Sequence, residues 1–298
     1  MKLSLKLIRI SSSSSLLDEN LDDDDDNDQS NTPTKIVPIL HQLSSSGFDQ
    51  NISLTKFSSR LELKPSTDDD SFNAENLIKT DLNKYVQTLI PKDHSQIIQC
   101  HLHRKKDGLT KIFSLYFIGE NQNDQILLVN ARKHSTIAGH VEFYIGVNID
   151  NPSKNLNEAN CIAKLRSKKI LGHEYILLNN QDTSTNQSQA LAVIYDNETI
   201  IDEWRAGRSN NFLEFKNKSP TFNEESKIYT INFLNNRIKQ PSHKNFQLIS
   251  TNEHDEESVI MQFGRIDENT FALDYRYPFT AIDAFAIALS SFHNRFRT

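Results

Sequence analysis

Phe271–Phe292 reads FALDYRYPFTAIDAFAIALSSF, and its second half decides the fold. Beyond Pro278, the residues Ile282, Ala284, Phe285, Ala286, Ile287, Ala288 and Leu289 leave no polar face after the first helical turn. A helix that is apolar all round must be enclosed by protein or lipid. The apolar core Ala281–Leu289 is too short for a bilayer, which needs about 20 residues. The chain before it must therefore do the enclosing. Thr280 and Asp283 supply the [ST]-x-x-[DE] spacing of a capping box, and Pro278 sits just outside, where it costs no helical hydrogen bond. Asp283 is read as a cap rather than a catalytic acid.

Upstream, short runs rich in β-branched and large apolar residues alternate with polar turns, the signal of strands. They are Ile97–His103, Ile112–Ile118, Ile126–Val129, Val141–Val147, Cys161–Leu165, Glu174–Leu178, Ala190–Tyr195, Phe212–Phe215, Lys227–Phe233, Phe246–Ser250, Val259–Phe263 and Thr270–Tyr275. Asn151–Asn160 and Asn179–Gln189 are polar and read as loops. A meander that must also surround a helix predicts a mainly β fold with some α. Its form is a closed antiparallel β-barrel of about twelve strands enclosing the C-terminal helix, which leaves no exposed sheet edge.

Charge divides the chain in two. Residues 1–82 hold 8 Lys/Arg and 15 Asp/Glu, a net of −7, whereas 83–298 is near neutral at +1. The whole-chain charge of −6 thus belongs to the first part and does not argue against an anionic ligand for the second. The first part includes Ser11–Ser15 and Asp22–Asp26, runs that cannot bury enough apolar surface to offset ordering entropy. Residues 1–82 are therefore expected to be an acidic, Ser/Asp-rich, largely disordered tail, and 83–298 the barrel domain. Ile36–Leu43 and Ile52–Leu63, the less polar islands of the tail, read as short elements or docking motifs for a protein partner, or equally as linker with incidental hydrophobes.

The same residues carry a family resemblance. The Phe271–Phe292 stretch resembles the C-terminal signature of the Tubby-like proteins. Ser242–Gln247 (SHKNFQ) resembles that family's S-V-K-N-F-Q, and Gln262–Arg265 its Q-F-G-R. Lys216–Glu224 (KNKSPTFNE) is similar to K-N-K-x-P-x-W-N-E, with Phe222 in the tryptophan position. Ile97–Gly108 and Cys161–Leu171 are similar to two earlier stretches of the domain, so the resemblance covers roughly Lys84 to Thr298.

The resemblance implies a non-enzymatic adaptor that binds phosphoinositides, chiefly phosphatidylinositol 4,5-bisphosphate, at a membrane surface. It implies a part in membrane-protein or ciliary trafficking, and a partner-binding role for the segment before the barrel. Leu127–His134 (LLVNARKH) resembles a strand that continues into a run of cations in the family. Here Arg132 and Lys133 are kept, and His134, Ser135, Thr136 and Ile137 replace most of the rest. Lys164, Leu165 and Arg166 are similar to the family's K-L-R, and Lys168 follows. The implied headgroup contacts are Arg132, Lys133, Lys164, Arg166 and Lys168. The chemistry suits the ligand, because arginine engages phosphate as a planar fork and lysine as a point charge. On residues alone the same cations also read as a solvated strand edge. The alternative function is a divergent barrel that has lost lipid binding and serves as a protein-interaction or transcription-linked module.

Other classes find little support. His101 and His103 share a strand face, but two ligands do not make a closed metal site, and no metal or cofactor is expected. No nucleophile elbow, Walker or Rossmann spacing is present. Nucleic acid is disfavoured as a partner by the weakly charged domain, in which aromatics do not interleave with cations. Trp204, Arg205 and Arg208 read either as a further aromatic-basic contact or, equally, as a turn with one packed indole. Cys100 and Cys161 alone make no disulfide framework and read as core residues of a reducing compartment. With no bilayer-length or signal-like segment, the expected location is cytoplasmic; the resemblance implies a peripheral place at the plasma or ciliary membrane, with the nucleus as a second site.

Overall fold

A computed structural model of the chain describes residues 5–10, 72–119, 124–136, 139–167, 174–179, 189–195, 212–224, 228–250 and 258–293. The fold is mostly β, with one large, mainly antiparallel sheet and few helices. Its strands are β1 (Leu5–Ile10), β2 (Ile98–Asp107), β3 (Thr110–Ile118), β4 (Gln125–Ser135), β5 (Val141–Gly146), β6 (Ala163–Ser167) and β7 (Glu174–Asn179). They continue with β8 (Gln189–Tyr195), β9 (Phe212–Asn217), β12 (Phe246–Ser250), β13 (Val259–Arg265) and β14 (Thr270–Tyr275). Between these, β10 (Thr221–Asn223) and β11 (Ile228–Thr230) form a separate two-stranded ribbon.

Antiparallel pairing runs in the order β8-β7-β6-β5-β4-β3-β2-β14-β13-β12-β9. Among the described residues no antiparallel pair joins β8 to β9; β1 lies beside both and is parallel to each, with Lys6 opposite Leu191 and Leu213. The expected all-antiparallel closure is therefore corrected at this point. The described residues 5–10 and 72–82 fall in the same compact unit as the rest of the sheet. The two docking islands of the acidic segment lie outside the described residues.

Helices α1 (Ala74–Thr80) and α2 (Leu82–Gln87) precede the sheet. Asn73 caps α1 by accepting from the Asn76 N–H, and Asp81 caps α2 by accepting from that of Lys84. Ala74, Ile78, Tyr85 and Val86 turn into the common core. In α2, the Tyr85 hydroxyl meets that of Tyr275 at 3.2 Å, out of contact with water. A short helix, α3 (Pro152–Asn155), occupies the expected polar loop Asn151–Asn160.

The C-terminal helix α4 (Ala281–Ser290) is buried at every position. Its capping box is formed as the spacing predicts: the Asp283 N–H donates to Thr280 Oγ1 at 3.1 Å, and the Thr280 N–H donates to Asp283 Oδ2 at 3.0 Å. The helix rests against α2 and against β6, β7, β8 and β14, strands from well-separated parts of the sheet, so the sheet curls round it. Burying Ile282, Phe285, Ile287 and Leu289 stabilises the fold by roughly 6–12 kcal/mol as an upper estimate. Phe113, Phe143, Leu165 and Phe263 line the facing side of the sheet.

The outer side of β12, β13, β14 and β2 explains the motif residues. Gln247, Gln262, Asp274 and Gln99 stand in one cross-strand row. Gln262 Nε2 donates to Asp274 Oδ2 at 2.6 Å, and Gln262 Oε1 accepts from the Leu234 N–H at 2.8 Å. Arg237 reaches in to pair with Asp274 and donates to the Cys100 carbonyl at 3.0 Å. Burial pushes the Asp274 carboxyl up, while Arg237 and Gln262 pull it back. The segment 231–240 is thereby clamped across the outside of the sheet. Gln247, Gln262 and Asp274 are fully buried beneath it.

Candidate functional site

The adjacent strands β4, β5 and β6 set the register of the cations. Arg132 stands opposite Tyr144, which stands opposite Lys164; Glu142 stands opposite both His134 and Arg166. Side chains alternate across a strand, so these residues share one face. The opposite face carries Ala131, Phe143 and Leu165, all in the core, which fixes the first set as outward. Lys133 lies in the Phe143–Leu165 row and is therefore on the other side of the sheet from Arg132. The structure thus unites three of the expected cations, Arg132, Lys164 and Arg166, and separates Lys133 from them. Lys168, with Trp204, Arg205 and Arg208, lies outside the described residues.

Two carboxylates that sequence reasoning passed over sit among these cations. Glu142 Oε1 lies 3.3 Å from Arg166 Nε and 4.0 Å from Lys164 Nζ. Glu158, in the loop after α3, pairs with the same Lys164. The Lys164 side chain is only 11 % exposed and Arg166 is 49 % exposed, so Arg166 is the cation most open to a ligand. The Lys164 hydrogen bond and charge hold the Glu158 carboxyl below its usual range. Tyr144 donates to Glu142 Oε2 at 3.0 Å, and burial together with that carboxylate pushes its hydroxyl up to about 12. The tyrosine therefore stays a neutral donor at any physiological pH.

Arg132 is held by the fold. Its Nη1 donates to the Leu156 carbonyl at 3.0 Å, and its Nε is buried without a hydrogen-bond partner. Leu156 belongs to a small cluster on this face with Tyr144, Cys161 and Ile149, which seats the loop carrying Glu158. Nearby, His134 stacks on Tyr144 with ring centroids 5.6 Å apart. His140 Nδ1 donates to the Ser167 carbonyl at 3.1 Å. The site therefore holds three cations and two carboxylates, with a tyrosine and a histidine between them. It can offer a multivalent anion an arginine fork and further positive charge, once the internal carboxylates yield.

Elsewhere, His101 and His103 do share a face, at 6.1 Å between ring centroids. Each has a local partner, Gln125 for His101 and Thr270 for His103. Both cysteines are buried, as a core role predicts. Among the described residues, no helix is long and apolar enough to cross a membrane.

Comparison with known proteins gives a consistent result. A family model described as the Tub family matches residues 86–197 and 182–294. The chain is 29% identical over 245 residues to "Protein king tubby" of Drosophila melanogaster, covering 69% of this chain and 52% of that protein. It is 28% identical over 267 residues to "Tubby protein homolog 1" of Caenorhabditis briggsae, covering 74% and 62%. It is 29% identical over 252 residues to human "Tubby-related protein 1", covering 70% and 45%. The chain thus spans about half the length of the relatives it matches.

Proposed function

The chain belongs to the Tub family, and from the outward cluster on β4–β6 we propose that it is a non-enzymatic, phosphoinositide-binding adaptor at membrane surfaces. The observation that carries the reading is the register that lines up Arg132, Lys164 and Arg166 on one face of three adjacent strands. Phosphatidylinositol 4,5-bisphosphate is the ligand, Arg166 the first contact, and Lys164 the second as it exchanges Glu158 for phosphate. Arg132 stiffens the floor and adds charge. The sheet acts as a closed barrel with β1 completing it between β8 and β9, a rigid platform for the cluster. The protein works on the cytoplasmic side of the plasma or ciliary membrane. Its acidic N-terminal segment engages a protein partner in trafficking, and the nucleus is a second location.

Affinity on this reading is modest. Each basic residue near an anionic leaflet contributes about 1 kcal/mol, and two of the three cations already face carboxylates. That same pairing favours a second reading, a divergent domain that has given up lipid and serves as a protein-interaction or transcription-linked module. Co-sedimentation of the full chain with phosphatidylcholine vesicles, with and without phosphatidylinositol 4,5-bisphosphate, separates the two. The first reading requires phosphoinositide-dependent binding that Arg132→Ala/Arg166→Ala removes. Equal binding to both vesicles, or none at low salt, favours the second.

A further inference from the structure

The hairpin between β2 and β3 extends beyond the sheet that carries it. On one flank the last pair is His103 with Thr270 of β14, and on the other it is Ile112 with Arg132 of β4. Past these, β2 and β3 pair only with each other, through Lys106 opposite Lys111 and Asp107 opposite Thr110. Arg104 fastens the base, its N–H donating to the Asn269 carbonyl at 2.8 Å and its Nη2 to that of Glu268 at 3.1 Å. Beyond the Lys105–Ile112 pair, the ribbon runs two further pairs and its turn past the sheet, roughly 7 Å at the usual strand rise, with α3 lying against β3 at its root.

Its tip is a two-residue turn, Gly108–Leu109, with Gly108 at φ 61°, the conformation that a tight turn with glycine in its first central position requires. Leu109 follows and is 102% exposed, touching nothing that hides it. The cations Lys105, Lys106 and Lys111 stand behind it, against the single acid Asp107. Among the described residues no ion pair engages these three lysines. Lysine on a projecting ribbon guards against edge pairing, but that does not account for an apolar side chain at the point farthest from the core. An apolar tip on a collar of cations matches the layering of an anionic bilayer, hydrocarbon beneath negative headgroups.

We propose that this hairpin is a membrane-contacting element, with Leu109 entering the interfacial layer and Lys105, Lys106 and Lys111 resting on anionic headgroups. The occupant is a lipid surface of general negative charge. The proposal deepens the membrane reading above, and it lies at the matching end of the sheet. Lys105 and Ile112 continue the row of Arg132, Tyr144 and Lys164, so a bilayer meeting one feature is within reach of the other.

The test uses the full chain with Leu109→Cys bearing an environment-sensitive fluorophore, which is selective because Cys100 and Cys161 are buried. Vesicles are phosphatidylcholine alone or with phosphatidylserine, free of phosphoinositide. The proposal predicts a blue-shifted emission on the phosphatidylserine vesicles only, persisting in a Lys164→Ala/Arg166→Ala background. In the unlabelled chain, Leu109→Ser lowers partitioning roughly fivefold, the equivalent of about 1 kcal/mol of buried leucine surface. Lys105→Ala/Lys106→Ala lowers it roughly tenfold. An unshifted emission, or a Leu109→Ser chain that partitions as the wild type does, overturns the proposal. A blue shift in a protein indifferent to phosphoinositide would sink the headgroup site and leave the hairpin standing.

Discussion

Arg166 of β6 faces Glu142 of β5 directly across the ladder, guanidinium Nε to carboxylate Oε1 at 3.3 Å, with the carboxylate buried and the arginine half in solvent. A phosphate approaching Arg166 therefore competes with a partner that the fold itself supplies. The same carboxylate lies 4.0 Å from Lys164 and accepts from Tyr144. On the lipid-binding reading, Glu142 sets how much of the cluster's charge a ligand can use.

Glu142→Gln keeps the acceptor for Tyr144 and removes the charge. Binding to vesicles containing phosphatidylinositol 4,5-bisphosphate should rise about fivefold at low salt, as expected for one released charge. Its salt dependence should steepen as well. Unchanged or weaker binding in a folded variant would show that Glu142 does not restrain the site.

The clamp over the outer face makes a stability prediction. At Gly264 of β13 an added Cβ would stand 2.6 to 2.9 Å from three side-chain atoms of Ile238. Gly264→Ala should cost about 1–3 kcal/mol through overpacking. Combined with Ile238→Ala, part of that cost should vanish, leaving the pair non-additive by about 1 kcal/mol. Urea unfolding of the two single variants and the double checks this; simple additivity would mean that segment 231–240 does not press on β13.

Acid stability should carry a signature of His101. Burial lowers its pKa from 6.5 to about 4, with Arg237 and His103 adding to the effect. The amide of Gln125 meets its Nδ1 at 3.2 Å and, as a donor, suits the neutral ring. In the unfolded chain the ring takes a proton near 6.5 that the fold refuses until about 4, so stability falls as pH drops through that window. With the ring partly exposed, the loss is discounted to about 1 kcal/mol. His101→Gln should lose less stability than the wild type between about pH 7 and about pH 4.5; identical losses would count against the assignment.

Much of the fold is readable from periodicity. The strands Phe246–Ser250 and Thr270–Tyr275 match their predicted bounds, and the Thr280/Asp283 box starts α4 where the spacing places it. Local chemistry decides each of these. β1 escaped because its partners, β8 and β9, are remote in sequence and its neighbours are runs of serine and aspartate. Helix α1 is not legible from charge balance, which places it with the acidic stretch, although Ala74, Leu77 and Ile78 repeat at helical intervals. At the site, consecutive residues such as Arg132 and Lys133 cannot share a strand face, so their separation is legible from alternation alone. The place of Glu142 is not, since it depends on the β5–β6 register, which distant packing sets.

The most direct test of the account is calorimetric titration of the full chain with inositol 1,4,5-trisphosphate, the soluble headgroup of phosphatidylinositol 4,5-bisphosphate. This ligand reports on the β4–β6 cluster without any contribution from bilayer contact. The proposed headgroup site requires measurable binding at low salt, weakened at least tenfold by Lys164→Ala/Arg166→Ala, the loss expected for two cations. It also requires tighter binding by Glu142→Gln than by the wild type. Heats no larger than dilution for both the wild type and Glu142→Gln would contradict it, as would equal affinity in all three proteins.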